Sequence, residues 1–382
     1  MASHRISRLK TDVIGECIEK LHEKRRAVRE EGMKALVAAL KGFVPADEID
    51  NRYFTVFDRC CNSIRKGGAA EATLAYRAIG LLALTVGACT DDILLKARPV
   101  LEKTLQAPSS GAATMVAALD CLAAVTLAGT RRSLDAAPAL RAATGVIRRA
   151  GDDATASSTP PEVLTAALSA FALLLTTVGG DDLRTYPCVF KEAMVPFQDL
   201  VKLLESDNPS VVMAAGEAIA VCAELNLTKL ASPEDMEAIE TKVSDLATDA
   251  SGDMTPTEQR QVDFFQKIAD MMCQADDCPQ TEGAMAASSP SVRRGVLRES
   301  TWARLVQFSF LRRFLGKGFP KHVQDNPLFG KEEDTSVADG DEELPAKKSW
   351  RHGGGKGKQW TSAMRRDRDI VWESKNGFYL YD

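Results

Sequence analysis

Short stretches rich in alanine and leucine recur along this chain, and this recurrence constrains the fold more than any other feature. Residues 78–87 (Ala-Ile-Gly-Leu-Leu-Ala-Leu-Thr-Val-Gly) match residues 170–179 (Ala-Phe-Ala-Leu-Leu-Leu-Thr-Thr-Val-Gly) at six of ten positions. Related copies lie at 35–42, 121–129 and 218–223. Successive copies start roughly 40 to 50 residues apart, the period of HEAT and armadillo arrays. The sequence therefore predicts an all-α, armadillo/HEAT-like helical-repeat solenoid.

In such an array each unit is a pair or triplet of helices, and the Ala/Leu-rich copy is the helix buried between neighbouring units. Small residues inside the copies would let adjacent helices approach closely: Gly80, Ala83, Ala172 and Ala220. Four glycines that close the copies suit helix ends in the left-handed conformation: Gly42, Gly87, Gly129 and Gly179.

Helix starts are also marked in the sequence. Residues 159–162 (Thr-Pro-Pro-Glu) and 255–258 (Thr-Pro-Thr-Glu) each offer an N-cap hydroxyl, a first-turn proline and a capping-box glutamate. Ser232 and Asn208 begin variants of the same signal, and no segment shows sustained period-two alternation. The alternative is a non-repetitive helical bundle with chance similarity between its helices. The Leu-Leu-x-x-Thr-Val-Gly ending shared by two copies argues against that alternative.

Composition agrees with packed helices in an intracellular protein. Of 382 residues, 45% are apolar but only 6% are aromatic, which disfavours a β-sandwich. The nine cysteines show no metal-binding spacing and are interpreted as reduced core residues. The start of the chain has no secretory signal, and the longest apolar stretch, taken as 78–89, is too short to cross a bilayer. We expect a cytoplasmic or nuclear protein, neither secreted nor in a membrane.

The character of the chain changes towards its C-terminal end. Residues 1–285 are predicted to hold the helical repeats, and the last helical pair falls in the acidic stretch 232–282. After a small, polar linker, residues 292–330 form a basic amphipathic helix, ended by glycines, and a short C-terminal domain-like segment. Residues 331–382 are of low complexity, first acidic and then basic, and we expect most of this tail to be disordered.

All four tryptophans lie in this last fifth of the chain, interleaved with cations. Such residues contact phosphates and stack on unpaired bases. The candidate residues for nucleic-acid or ribosome binding are Arg293, Arg294, Arg298, Arg304, Arg312, Arg313, Lys317, Lys321, His322, Lys356, Lys358, Trp360, Arg365, Arg366 and Arg368. The alternative is that the tryptophans hold the tail against the solenoid while the cations pair with its acidic face. The sequence leaves both interpretations open.

No catalytic constellation emerges from the sequence. The glycine- and lysine-rich run 353–358 lacks the spacing of a phosphate loop, and the four histidines are scattered. There is no Gly-x-Ser-x-Gly motif, and no cysteine has a nearby activating histidine. We therefore predict a protein that is not an enzyme and has no cofactor, metal or small-molecule substrate.

Two regions of the chain resemble a known family. Residues 53–57 (Tyr-Phe-Thr-Val-Phe), 62–67 (Asn-Ser-Ile-Arg-Lys-Gly) and 71–87 resemble the helical-repeat domain of the interferon-related developmental regulator family. Residues 314–326 resemble that family's short C-terminal domain, in which a Gly-Phe-x-x-His-x-Gln-x-Asn element recurs. The low-complexity tail has no counterpart in this resemblance.

The resemblance implies regulation by binding, with no catalytic residues to carry over. One hypothesis it supports is association with ribosomes or RNA, in particular with translationally inactive ribosomes, through the basic C-terminal end. The other is a nuclear transcriptional co-regulator whose solenoid scaffolds protein complexes, with the concave face gripping partner helices or peptides. Protein partners on the solenoid surface are expected in both cases.

Overall fold

The computed structural model describes residues 12–86, 90–107, 110–152, 159–178, 180–248, 255–274, 301–326 and 328–329. Every regular element among these residues is helical, which confirms the all-α prediction. The helices are α1 (Val13–His22), α2 (Arg26–Lys41), α3 (Ala46–Ile49), α4 (Tyr53–Lys66), α5 (Ala69–Thr85), α6 (Thr90–Gln106), α7 (Ala112–Gly129), α8 (Ala137–Asp152), α9 (Pro161–Leu175), α10 (Gly180–Thr185), α11 (Pro187–Phe190), α12 (Phe197–Leu204), α13 (Pro209–Glu224), α14 (Pro233–Thr248), α15 (Pro256–Gln274), α16 (Thr301–Leu315) and α17 (Phe319–Asp325). Short 3-10 turns lie at Ser133–Ala136, Leu227–Leu230 and Gly316–Gly318.

Five helices, named here the inner row, stack side by side in the order α2, α5, α7, α9 and α13. An outer layer of α1, α4, α6, α8 and α12 packs against them, each outer helix on the inner helix that follows it. The inner row contains the five Ala/Leu-rich copies, one in each helix. The helical-repeat solenoid is therefore confirmed, and the copies are its buried helices.

Helix α7 is the longest apolar helix of the core. It is long and apolar enough to cross a membrane, and it is longer than the apolar stretch 78–89 that the sequence analysis took as the longest. A helix that is apolar on all sides is either buried in protein or surrounded by lipid. Here α5, α6 and α9 enclose α7, and residues 118–129 are almost all buried. We therefore describe α7 as the core helix of the repeats.

The inner helices run parallel to one another, so the array has two distinct edges. At the first edge, where inner helices begin, the hydroxyl oxygen of Thr73 in α5 lies 3.4 Å from the hydroxyl oxygen of Thr114 in α7. At the second edge, where inner helices end, Asp91 at the start of α6 pairs with Arg131 after α7 at 2.9 Å. Outer helices consequently end at the first edge and begin at the second.

Most predicted helix caps are confirmed. The backbone N–H of Thr255 donates to the Glu258 carboxylate at 2.7 Å, and the Glu258 N–H donates to the Thr255 hydroxyl at 3.3 Å. The side chains of Asn208 and Ser232 also accept N–H groups of their own helices. The predicted cap at Thr159 is wrong, because α9 begins at Pro161 with Pro160 as its N-cap and no side-chain cap.

The prediction of left-handed glycines at the ends of the copies is wrong at Gly42 and at Gly129. Gly42 has a right-handed φ of −72°, and the left-handed residue is the next one, Phe43, with a φ of 65°. Gly129 lies within α7, where a Cβ atom would come within 2.6 Å of the Thr90 carbonyl oxygen. Gly129 therefore permits a close approach of α6 and α7. Gly87 and Gly179 lie outside the described residues.

The described cysteines include five buried thiols without disulfide partners: Cys17, Cys60, Cys61, Cys121 and Cys222. Burial raises the pKa of Cys61 and of Cys222 to about 12. At neutral pH these side chains are protonated and act as small apolar groups, as the sequence predicted. Cys188 and Cys273 are exposed.

Candidate interaction surface

Residues 301–329, named here the C-terminal segment, lie along the inner row. Helix α16 packs on α13 and α9, and the turn that follows it reaches α2. The buried apolar residues of the segment are Trp302, Ala303, Val306, Phe310, Leu311, Phe314, Leu315 and Phe329. The surface expected to grip partner helices is thus covered here by a helix of the same chain.

The start of α16 is held by a carboxylate of the inner row. Glu224, the last residue of α13, accepts the backbone N–H groups of Trp302 at 3.1 Å and of Ala303 at 2.9 Å. First-turn N–H groups lack partners within their own helix, and a negative charge near them is favourable. The Trp302 ring meets Phe264 edge-to-face, with ring centroids 5.6 Å apart. This tryptophan therefore anchors the segment to the repeats.

Polar contacts continue along α16. The Gln307 amide donates to the buried hydroxyl of Thr176 at 3.0 Å. Arg313 binds the Asp120 carboxylate of α7 with both terminal nitrogens, at 3.0 and 2.8 Å. Burial raises the pKa of Glu217 above its ordinary value, and the nearby positive charge of Arg313 offsets only part of that rise. This end of the segment thus follows the interpretation in which cations pair with acidic groups of the repeats.

The end of α16 requires two glycines. A Cβ atom at Gly80 of α5 would lie 2.7 Å from the ring of Phe314 and 3.2 Å from Ala124 of α7. This confirms the predicted role of Gly80 in close helix packing. A Cβ atom at Gly318 would lie 1.7 Å from the carbonyl oxygen of Lys41. No side chain fits at Gly318 while the segment is in place.

The histidine and asparagine of the Gly-Phe-x-x-His-x-Gln-x-Asn element form hydrogen bonds with the ends of two inner helices. His322 Nε2 lies 2.9 Å from the Leu40 carbonyl oxygen at the end of α2. The Asn326 amide nitrogen donates to the Leu84 carbonyl oxygen of α5 at 2.6 Å and to His322 Nδ1 at 3.1 Å. Since Nδ1 accepts, the proton is on Nε2 and the imidazole is neutral. Asn326 Oδ1 in turn accepts the N–H of Leu328 at 2.9 Å.

Burial lowers the pKa of His322 from its ordinary value, although hydrogen bonds to the Leu40 and Lys41 backbone oppose the shift. The unfolded chain therefore binds this proton at a higher pH than the folded chain does. The stability contributed by neutral His322 is complete above the unfolded pKa of about 6.5 and is lost as pH falls below it.

We expect the melting temperature of the full chain to fall between about pH 7.5 and about pH 5.5. The His322→Gln variant is expected to be less stable at both pH values and to show a smaller difference between them. The matched control is His22→Gln, which changes an exposed histidine at the end of α1. A pH difference that is reduced equally by both substitutions would contradict this account.

The structure separates the candidate binding residues into groups. Arg312, Lys317 and Lys321 are exposed on the outward side of the segment, and Lys321 pairs with Asp325 within α17. Arg304 is partly exposed, and the Arg313 side chain is half exposed while paired with Asp120. His322 is fully buried with both ring nitrogens engaged, so in this arrangement it is not accessible to a nucleic acid. The remaining candidates lie outside the described residues: Arg293, Arg294, Arg298, Lys356, Lys358, Trp360, Arg365, Arg366 and Arg368.

Sequence reasoning missed the partners of the segment within the repeats. Asp120 directly precedes one Ala/Leu-rich copy, and Glu224 follows another. A charge next to an apolar run was the only signal that either residue gave. Arg77, which donates to the Phe314 carbonyl oxygen at 3.4 Å, gave none.

Among the described residues, no group of three or more His, Cys, Asp and Glu side chains is able to hold a metal ion. A shallow cleft lies beside α12 and α14, lined in part by Leu204 and Leu246, and Lys242 pairs with Glu205 there at 2.8 Å. Asp245 and Thr248 complete the lining of this cleft.

Sequence comparison relates the chain to a known family. A sequence model of the family described as interferon-related developmental regulator matches residues 4–260, about two thirds of the chain. The chain is also similar to the mouse (Mus musculus) protein named interferon-related developmental regulator 2. The two are 28% identical over 326 residues, which cover 81% of this chain and 70% of the mouse protein. The family match ends before the C-terminal segment.

Proposed function

The chain belongs to the interferon-related developmental regulator family, and from this we propose that it is a non-enzymatic regulator that associates with ribosomes through RNA contacts. Its cations on the outward side of the C-terminal segment make these contacts. The repeats serve as the support on which the segment is held, and they offer their remaining surface to protein partners.

The observation that carries the proposal is the division of the C-terminal segment into two sides. Its apolar side is buried against the inner row, whereas Arg312 and Lys317 face solvent without an ion pair to any described residue. The Arg312 guanidinium lies 5.7 Å from the centre of the half-buried Phe319 ring. A cation beside an aromatic ring suits contact with a phosphate and a neighbouring base. The exposed side of this helix is therefore chemically suited to RNA.

Sedimentation of full-length chain and of an Arg312→Gln/Lys317→Gln variant through sucrose gradients of cell lysate tests the proposal. At low salt the unaltered chain is expected to travel with ribosomal particles and to leave them as salt rises, since phosphate contacts release counterions. The variant is expected to leave them at lower salt. Point variants are preferable to a truncation at residue 291, because truncation would also uncover the inner row.

The control variant Lys191→Gln/Lys229→Gln removes two exposed cations outside the C-terminal segment and is expected to sediment like the unaltered chain. If neither the unaltered chain nor any variant reaches the ribosomal fractions, ribosome association is wrong. Nuclease-resistant complexes with nuclear proteins would then favour the alternative role as a transcriptional co-regulator that scaffolds protein complexes.

A further inference from the structure

Cations collect at the first edge of the repeat array, far from the C-terminal segment in sequence. The outer helices α1, α4 and α6 end at this edge, and basic residues occupy their last turns or the loops that follow. Six of these residues are exposed and are named here the basic edge: Lys24, Arg25, Arg26, Arg65, Lys66 and Lys103.

Contacts at the first edge place these loops beside one another. The backbone of Gly68, after α4, is so close to Arg26 that a Cβ atom there would lie 2.4 Å from the guanidinium carbon. The Tyr76 hydroxyl of α5 forms a hydrogen bond with the hydroxyl of Thr104, the residue after Lys103. Because packed helices lie about 8 to 10 Å apart, the basic edge extends over three neighbouring repeats, about 20 Å.

Several cations at the second edge are paired with carboxylates, whereas most cations of the basic edge are not. At the second edge four cations bind carboxylates: Arg52 with Asp12, Lys96 with Asp92, Arg131 with Asp91 and Arg132 with Asp135. At the basic edge Arg26 pairs with Glu30. Lys24, Arg25, Lys66 and Lys103 make no ion pair with any described residue, although the acids Glu23 and Glu102 lie in the same turns.

Helix dipoles do not account for the whole group. A cation is favourable in the last turn of a helix, where Lys66 and Lys103 lie, and unfavourable at a helix start. Arg25 is the N-cap of α2, Arg26 is its first residue, and no side chain caps that helix. Arg25 therefore stands where the dipole of α2 opposes it without an ion pair to any described residue, whereas Arg26 has its pair with Glu30.

We propose that the basic edge binds the phosphate backbone of RNA, as a second contact that extends the proposed ribosome association and rests on it. None of the large apolar side chains found exposed elsewhere in the described residues lies at this edge. Protein interfaces have an apolar centre, and membrane-binding surfaces insert apolar side chains. A phosphate backbone requires only cations in a row.

The test uses the full-length variant Lys24→Gln/Arg25→Gln/Lys66→Gln/Lys103→Gln and a labelled RNA duplex of about 30 base pairs, with binding followed by fluorescence anisotropy over a range of salt. Each lost phosphate contact lowers the slope of log affinity against log salt by roughly 0.9. We expect the slope to fall by about 3.6 if all four residues contact phosphates, and the affinity at low salt to fall at least about tenfold.

The matched control, Lys191→Gln/Lys229→Gln/Arg260→Gln/Lys267→Gln, removes four exposed cations outside the basic edge that make no ion pair with described residues. It is expected to retain the salt slope of the unaltered chain to within about 1. Circular dichroism melts establish that both variants are folded.

The outcomes separate the two proposals. If the edge variant binds RNA like the control while Arg312→Gln/Lys317→Gln is weakened, the basic edge is not an RNA site and the proposed function stands. If the edge variant instead loses binding to vesicles containing phosphatidylserine, or to polyglutamate, with RNA binding unchanged, the partner is a membrane or an acidic protein and the inference is overturned. If the unaltered chain binds neither the duplex nor ribosomes, both proposals fail.

Discussion

The substitution Phe314→Ala is expected to lower the free energy of unfolding by about 4 kcal/mol, one of the largest effects of any single change in this chain. The Phe314 ring fills the gap above Gly80, stacks on Phe310 with centroids 5.4 Å apart, and lies under the Arg77 guanidinium. Its removal leaves a cavity between the C-terminal segment and two inner helices. Urea denaturation followed by circular dichroism measures the loss.

Phe308→Ala is the matched control, since Phe308 lies on the same helix but is only half-buried and faces Phe319. A much smaller loss of stability is expected. Limited proteolysis adds an independent measurement, because a weakened segment is cleaved within 301–329 before the repeats are. Equal losses for the two variants would show that Phe314 is not packed as described, and that the segment does not hold the inner row.

The substitution Glu71→Ala is expected to cost about 3 kcal/mol, because it leaves a charged partner without its counter-ion. The Glu71 carboxylate is fully buried at the start of α5, where it accepts Arg29 Nε at 2.9 Å and Arg29 Nη2 at 3.0 Å. It also accepts the hydroxyl of Ser63 at 2.8 Å. The substitution therefore disrupts the joint between α2, α4 and α5. Thermal and urea unfolding measure the effect.

The pH dependence gives a second measurement on the same residue. Burial works to raise the pKa of Glu71, but the hydrogen bonds from Arg29 and Ser63 outweigh it and the pKa is lowered. The stability it contributes is therefore present above the unfolded pKa of about 4.5 and is lost as pH falls through the lower folded value. The difference in stability between the unaltered chain and Glu71→Ala should shrink in that acidic range.

The exposed pair of Glu31 with Lys20 provides the control, since Glu31→Ala breaks an ion pair open to solvent. Such pairs contribute little, because water screens the charges and the side chains lose freedom when they pair. If Glu31→Ala proves as damaging as Glu71→Ala, burial does not set the strength of these pairs.

The packing of the C-terminal segment on the repeats bears on where the chain can be cut for experiments. The sequence predicted repeats at 1–285 followed by a separate segment at 292–330, and this division stays a prediction. In the structure, residues 301–329 contain eight buried apolar side chains, and α16 packs on α9 and α13. A fragment ending near residue 285 would expose the surface of the repeats that α16 covers. Partner capture by such a fragment would report on an uncovered surface, and full-length variants avoid this.

The candidate binding residues show the limit of reading a helix by itself. Sequence identified α16 as basic and amphipathic, and both interpretations of it, contact with RNA and pairing with the repeats, used the same residues. Arg313 and Trp302 contact the repeats, while Arg312 and Lys317 face solvent. Whether a side chain is buried or exposed depends on which face of α16 packs on the inner row. The spacing of residues along one helix defines its faces but does not identify the surface on which each face packs.

The sequence by itself determined the repeat architecture and the identity of its buried helices. The reason is that a helix apolar on all sides must be enclosed, and that copies at a constant period must pack on one another in the same way. The sequence also predicted the helix caps at Asn208 and Thr255, because these hydrogen bonds join residues only a few positions apart in the chain.

Only the tertiary structure decided what covers the inner row and where the cations of the first edge meet. The hydrogen bonds of His322 and Asn326 with Leu40 and Leu84 join groups more than two hundred residues apart. Their acceptors are backbone carbonyl oxygens, which every sequence contains. The basic edge likewise forms because parallel outer helices bring their ends together. Contacts of this kind depend on packing in three dimensions, which no local pattern in the chain records.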